Sequence, residues 1–197
     1  MKVQDIKKFE RLHNIELPKD TISETGVIGT LLMHPEYIYI SDFLKPNQFY
    51  NRELACVYHI IKTFMDKGIK EIDNFLIIAE IEGNNGFKNV INEYNNISND
   101  LCNWLDDLKM VARPDVESYE LMSKKVVSNA FKRDSYIKLR ELANGVLEST
   151  EDINAINYKL QTDVTKFADN YIVDTNVQTI GEKVDDIWNL ILSRRND

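Results

Sequence analysis

Two cysteines in 197 residues, Cys56 and Cys102, are too few for the disulfide framework of a small secreted scaffold, and neither has a second Cys or a His at metal-ligand spacing. Both fall within apolar helical patterns and read as buried, reduced thiols. No apolar run approaches the roughly 18 to 20 residues that span a bilayer, and the N-terminus lacks the apolar stretch of a secretory signal, so a cytoplasmic protein with no membrane partner is expected. The seven glycines never fall in a Gly-x-x-x-x-Gly-Lys-Ser/Thr arrangement, which excludes the usual phosphate-cradling loop. His13, His34 and His59 stand apart, with no His-Glu-x-x-His or Cys-x-x-Cys pattern to hold a metal or a nucleophile. Basic charge is also short: 24 Lys and Arg against 32 Asp and Glu leave a net charge of -8. A large phosphate-gripping face is therefore not expected, and little direct DNA binding follows. The basic pairs Lys132-Arg133 and Arg194-Arg195 read as solvated helix ends, and the acidic pairs Asp106-Asp107 and Asp185-Asp186 as solvated helix faces. No catalytic residue, cofactor or metal is expected in this chain.

What remains is helix. Hydrophobic residues make up 43% of the chain and recur at spacings of three and four, with no sustained period-2 alternation, so the fold class is all-α. After an N-terminal extension (1–16) with a weak amphipathic pattern at Ile6, Phe9 and Leu12, Pro18 marks a break. Thr21 and Glu24 then fit a capping box opening a helix whose buried face carries Val27, Ile28, Leu31 and Leu32. Gly26 and Gly29 within it cost roughly 1 kcal/mol each in helix propensity, which points to close approach of another helix. Pro35 starts a short helix that Pro46 closes. A stronger helix follows, with Leu54, Val57, Tyr58, Ile61, Phe64 and Met65 on one face and Gly68 at its C-terminal cap. Asp73 caps the next segment, and Ser98 or Asn99 caps one holding Leu101, Trp104 and Leu105.

At Ala112-Arg113-Pro114 short helices give way to long ones, so the sequence divides into a compact multi-helix head (17–112) and an antiparallel helical hairpin (113–168). The first hairpin helix is apolar on two faces: Tyr119, Met122, Val126, Ala130 and Ile137 on one, Val127, Phe131, Leu142 and Val146 on the other. Two apolar faces require more than one neighbour. Ser149 and Asp152 fit a second capping box, ahead of Ile153, Ile156, Leu160, Val164 and Phe167. Residues 169–178 read as a linker, and Thr179 with Glu182 opens an isolated amphipathic helix (179–197). Its apolar residues, Ile180, Val184, Ile187, Trp188 and Ile191, are too few to hold a lone helix in water, so it is expected to dock on its own body or on another chain.

One ordered set of residues carries a resemblance. Pro18, then Glu24, Val27, Ile28, Gly29, Leu31, Leu32 and Pro35, then Leu44, Phe49 and Tyr50, then Ile60, Gly68, Ile72 and Asp73 follow the pattern of the N-terminal domain of DnaB-type replicative DNA helicases. More weakly, Tyr119 and Lys125 fit the family's first hairpin helix, and Thr179 to Leu192 resembles the helix that links this domain to the motor. The chain departs from the pattern at Gln48, where the family often has Asp, and at Leu54, where it often has His. Such drift points to a divergent branch, phage-encoded members included.

The resemblance implies a role in a hexameric ring, built as a trimer of dimers, that unwinds the replication fork. In the family, ATP and Mg act in a C-terminal motor domain, the N-terminal domains pair through their hairpins into a collar, and primase and helicase loader dock there. The linker helix packs on the neighbouring subunit's motor. Carried onto this chain, the dimerisation surface would be Val127, Phe131, Leu142, Val146, Ile156 and Leu160, and the docking helix would use Ile180, Val184, Ile187, Trp188 and Ile191. A stand-alone phage replication accessory or inhibitor that binds or mimics a host helicase collar is the alternative; a downstream Walker A motif separates the two.

Overall fold

The computed structural model describes residues 4–93 and 100–169. Among the described residues there are eight α-helices and no strand, so the protein is all-α. The helices are α1 (Gln4–His13), α2 (Thr21–Met33), α3 (Arg52–Asp66), α4 (Asn74–Gly83), α5 (Asn85–Glu93), α6 (Leu101–Met110), α7 (Val116–Glu148) and α8 (Ile153–Asp169). Two 3-10 helices, Pro35–Tyr39 and Pro46–Gln48, lie between α2 and α3. The chain divides into two units, Met1–Glu148 and Ser149–Asp197. The linker and terminal amphipathic helix expected over 169–197 lie outside the described residues, apart from Asp169 itself, which ends α8.

In the first unit α2 is central, packed on α3, α6 and α7. Its burial runs nearly all the way round, with Val27, Ile28 and Leu31 fully enclosed, because it has neighbours on several sides rather than one. The two glycines explain how they come so close. A Cβ on Gly29 would stand 2.1 Å from the Leu108 carbonyl oxygen of α6, and one on Gly26 would stand 2.4 Å from Met122 Sδ of α7. Thr30 completes the contact: its Oγ1 donates to the Gly26 carbonyl at 2.8 Å and accepts the Arg113 N–H at 2.9 Å. Tyr37 adds a hydrogen bond from its hydroxyl to the Pro114 carbonyl at 2.7 Å. The change of character at Ala112 to Pro114 is thus a corner, tied to α2, between helices of one unit, and α7 lies in the same unit as the helices before it.

Several local expectations are corrected. The cap of α2 is Asp20, whose carboxylate accepts the Ser23 N–H at 2.9 Å and the Ser23 hydroxyl at 2.7 Å. The box read into Thr21 and Glu24 does not form, because Glu24 is engaged elsewhere. Likewise α8 is capped by Asp152 alone, which accepts from the Asn154 and Ala155 N–H groups, and α6 by Asp100 rather than by Ser98 or Asn99. Pro46 opens a 3-10 helix instead of only ending the segment before it. Asp73 caps α4 as expected, and Gly68, with φ of 79°, supplies the left-handed residue after α3. Cys56 is buried and Cys102 half-buried, both free; burial pushes the Cys56 thiol up to about 11, so it stays protonated at neutral pH.

The N-terminal extension is part of the body. Ile6 of α1 joins Leu17, Tyr50 and Ile137 in one apolar cluster, with Phe9 and Ile15 against it. Glu10 fastens α1 from the polar side, accepting the Leu17 N–H at 2.9 Å and the Tyr50 hydroxyl at 2.9 Å.

Candidate self-association surface

The surface is set by how α7 is held. Tyr119, Ser123, Val126, Ala130, Arg133 and Ile137 recur every three or four residues and are all buried, so one face of α7 is interior for about five turns. Arg133 is the exception in type. Rather than a solvated helix end, it is only 1% exposed, while its neighbour Lys132 is exposed. Its Nη1 donates to the Pro18 carbonyl at 2.8 Å and its Nη2 to the Gln48 carbonyl at 2.7 Å, and the guanidinium lies 5.6 Å from the Tyr50 ring centroid. One side chain of α7 thereby ties together the segment ahead of α2 and the segment ahead of α3. Its register, three after Ala130 and four before Ile137, was the available signal that it points inward.

Glu24 is the matching acid, 1% exposed. Its carboxylate accepts the Tyr50 N–H at 2.7 Å, the Asn51 N–H at 3.0 Å and the Asn51 side-chain amide at 3.0 Å. Asn51 directly precedes α3, so the carboxylate sits where a helix start leaves N–H groups unpaired and the dipole favours negative charge. Burial nevertheless holds this carboxyl above its ordinary value, against the pull of those hydrogen bonds and of Arg133. Replacing Glu24 with Gln turns one accepting oxygen into an NH₂ that faces a backbone N–H, an expected loss of about 2 kcal/mol in urea unfolding at neutral pH. The folded-state pKa is raised, so the stability that protonation of Glu24 contributes is fully present below about pH 4.5 and is lost as pH rises through the folded value. Glu24→Gln does not titrate there. The gap between parent and variant should therefore narrow as pH rises through that window.

With its inner face fixed, α7 presents a second apolar face outward. At 100° per residue, Phe131, Leu139, Leu142 and Val146 fall within an arc of about 80°, on the side opposite the interior set. Phe131 is 42% exposed, Leu139 59% and Val146 38%, and Leu142 is half-buried. Of the expected surface residues on α7, Val127 stands apart: it is buried, because it lies at the margin between the two faces. Leu139 belongs to the outward set and was not singled out in the sequence. On α8, taken by itself, Ile156 and Leu160 are half-buried and share a stripe with Ile153, Val164 and Phe167 at spacings of three and four. Ile180, Val184, Ile187, Trp188 and Ile191 lie outside the described residues. No group of three or more His, Cys, Asp or Glu positioned to hold a metal ion occurs among the described residues.

Comparison with known proteins bears on the inner half of this arrangement. Residues 16–105 match the family model described as the DnaB-like helicase N terminal domain. These residues form a DnaB-type helicase N-terminal domain. The fold is similar to the crystal structure of the N-terminal domain of DnaB helicase from Mycobacterium tuberculosis, with a TM-score of 0.62 at 18% identity. That likeness covers 77% of this chain and 99% of the other, a larger share of this chain than residues 16–105. No curated protein matches the chain. Within the DnaB-type domain, most of the residues that carry the resemblance are interior ones: Glu24, Val27, Ile28, Leu31, Leu44, Phe49 and Ile60 are all buried, while Pro18, Gly68 and Asp73 are exposed. Three of the helices described above, α1, α7 and α8, fall outside the matched span.

Proposed function

We propose that the chain serves as the assembly and docking part of a replicative helicase, its DnaB-type domain pairing with a second copy through the outward face of α7 as a step in ring formation. The reading rests on one observation above others: α7 carries a buried interior face and, on its opposite side, a second apolar face whose residues are partly exposed. Four large apolar residues spread over Phe131 to Val146, about 22 Å of helix, are the dimension of a helix-to-helix contact. Ile156 and Leu160 of α8 would contribute to the same assembly. Primase or helicase loader would dock on the assembled collar, and the segment with Ile180, Val184, Ile187, Trp188 and Ile191 on a neighbouring motor domain. ATP and Mg enter this scheme only with a motor domain, and none of the residues described has a catalytic part in it.

Phe131→Glu tests the self-association. The side chain is 42% exposed, so a charge there can reach water in the monomer, whereas a charge buried in an interface would be prohibitive. Sedimentation equilibrium at tens of micromolar should give a self-associating parent and a monomeric variant, with identical far-UV circular dichroism. A parent that is monomeric throughout would end this reading, and a variant that stays associated would move the contact to another face.

A further inference from the structure

Between α3 and α5, beside the second 3-10 helix, lies a cleft of about 250 Å³ that the assembly reading leaves unused. Ala55 and Cys56 of α3 and Phe87 and Val90 of α5 line it, with Arg52 and His59 at its two ends. Arg52 and His59 are seven residues apart on one face of α3, so they stand roughly 10 Å apart with the apolar floor between them. Arg52 is the one charged side chain in the lining, and it is a cation in a chain of net charge -8. His59 is held edge-on to Phe87, ring centroids 5.8 Å apart. Arg52 Nη1 pairs with Glu93 Oε2 at 3.1 Å, the Arg side chain 19% exposed and the Glu 52%.

Three features decide what fits. The volume is below the roughly 300 to 1,000 Å³ of small-molecule sites but suits one large side chain, the way anchor residues fill pockets at protein interfaces. The guanidinium recognises a carboxylate. Glu93 is half in water, and a pair with so exposed a partner contributes only about 0 to 1 kcal/mol, so an incoming carboxylate can displace it at little cost. We propose that this cleft docks a segment of a partner protein that inserts one large apolar side chain and sets an adjacent carboxylate on Arg52, with Glu93 as the intramolecular competitor. The inference does not depend on α7 self-association and stands if that fails.

The test titrates the ¹⁵N-labelled full chain with an amidated fourteen-residue helical peptide carrying one Trp and a Glu one turn before it. Controls replace that Glu with Lys, or the Trp with Ala, and 3-methylindole alone serves as the small-molecule control. Amide shifts should move at Ala55, Cys56, Phe87 and Val90, with the Glu peptide about tenfold tighter than the Lys peptide. Glu93→Gln should tighten binding about threefold by freeing Arg52. Ala55→Phe should fill the cleft and abolish the shifts; should that variant not fold, Arg52→Gln carries the test by losing the preference for Glu over Lys. No shift at these four residues, equal affinity for the two peptides, weaker binding by Glu93→Gln, or 3-methylindole binding as tightly as the peptide each overturns the proposal.

Discussion

Gly29→Ala is expected to destabilise the DnaB-type domain by about 3 kcal/mol or more, although alanine is the better helix former by about 1 kcal/mol. The added methyl would lie 2.1 Å from the Leu108 carbonyl oxygen and 3.3 Å from the Ala112 backbone nitrogen. Both belong to main chain at the end of α6, which cannot rotate aside as a side chain can, so α2 and α6 must separate. Separation also strains the Thr30 hydrogen bond to Arg113 that forms the next contact along the pair. Gly26→Ala is the control. Its new methyl meets Met122 Sδ, the flexible end of a thioether side chain, and the gain in helix propensity largely offsets the repacking. Urea midpoints at unchanged slope should fall steeply for Gly29→Ala and stay within about 1 kcal/mol of the parent for Gly26→Ala. Equal effects would mean that helix propensity, not close approach, governs both sites.

Arg133→Met is expected to cost about 3 kcal/mol while preserving most of the side-chain volume. The loss is electrostatic: the Pro18 and Gln48 carbonyls give up their donors in a buried setting, and Glu24 gives up its nearby cation. Arg133→Lys should rescue little, because a single ammonium cannot span two carbonyls that the planar guanidinium reaches with separate nitrogens. Combining Arg133→Met with Glu24→Gln should cost less than the two changes summed, since the neutral amide no longer needs the cation. Strict additivity in urea unfolding would show that the two residues do not communicate.

The helices of the domain were legible because local pattern and packing agree there. Val27, Ile28, Leu31, Leu54, Val57, Tyr58, Ile61 and Phe64 were read as interior from spacing alone, and all are buried. Gly26 and Gly29 read correctly as contact glycines, since a helix has no other use for two of them so close together. The caps were less legible. At Thr21 and Ser149 the capping-box pattern was present, yet an aspartate did the capping: Asp20, one residue earlier, and Asp152, the expected partner acid. Nothing local reveals that Glu24 is claimed by Tyr50 and Asn51, 26 and 27 residues away. Arg133 was misread for the same reason, because charge biases a sequence reading towards solvent and the carbonyls that satisfy it lie more than 80 residues distant. On α7 the existence of two apolar faces was legible, but the margin between them was not: Val127 and Phe131 differ by about 40° of rotation, and one is buried while the other is exposed.

The tie made by Arg133 has a consequence for how this fold can drift. Its acceptors are main-chain carbonyls, at Pro18 and Gln48, so the bond asks for a path of the backbone and is indifferent to which side chains stand at those positions. Glu24 likewise takes its two shortest bonds to main chain from N–H groups at Tyr50 and Asn51. Positions 18 and 48, and short of proline 50 and 51, can change residue without these main-chain bonds being lost, and no compensating exchange is then needed at 24 or 133 to keep them. A pair of long-range anchors written in backbone leaves no covariation to detect. That is one physical route by which two chains can keep the same arrangement of helices at 18% identity.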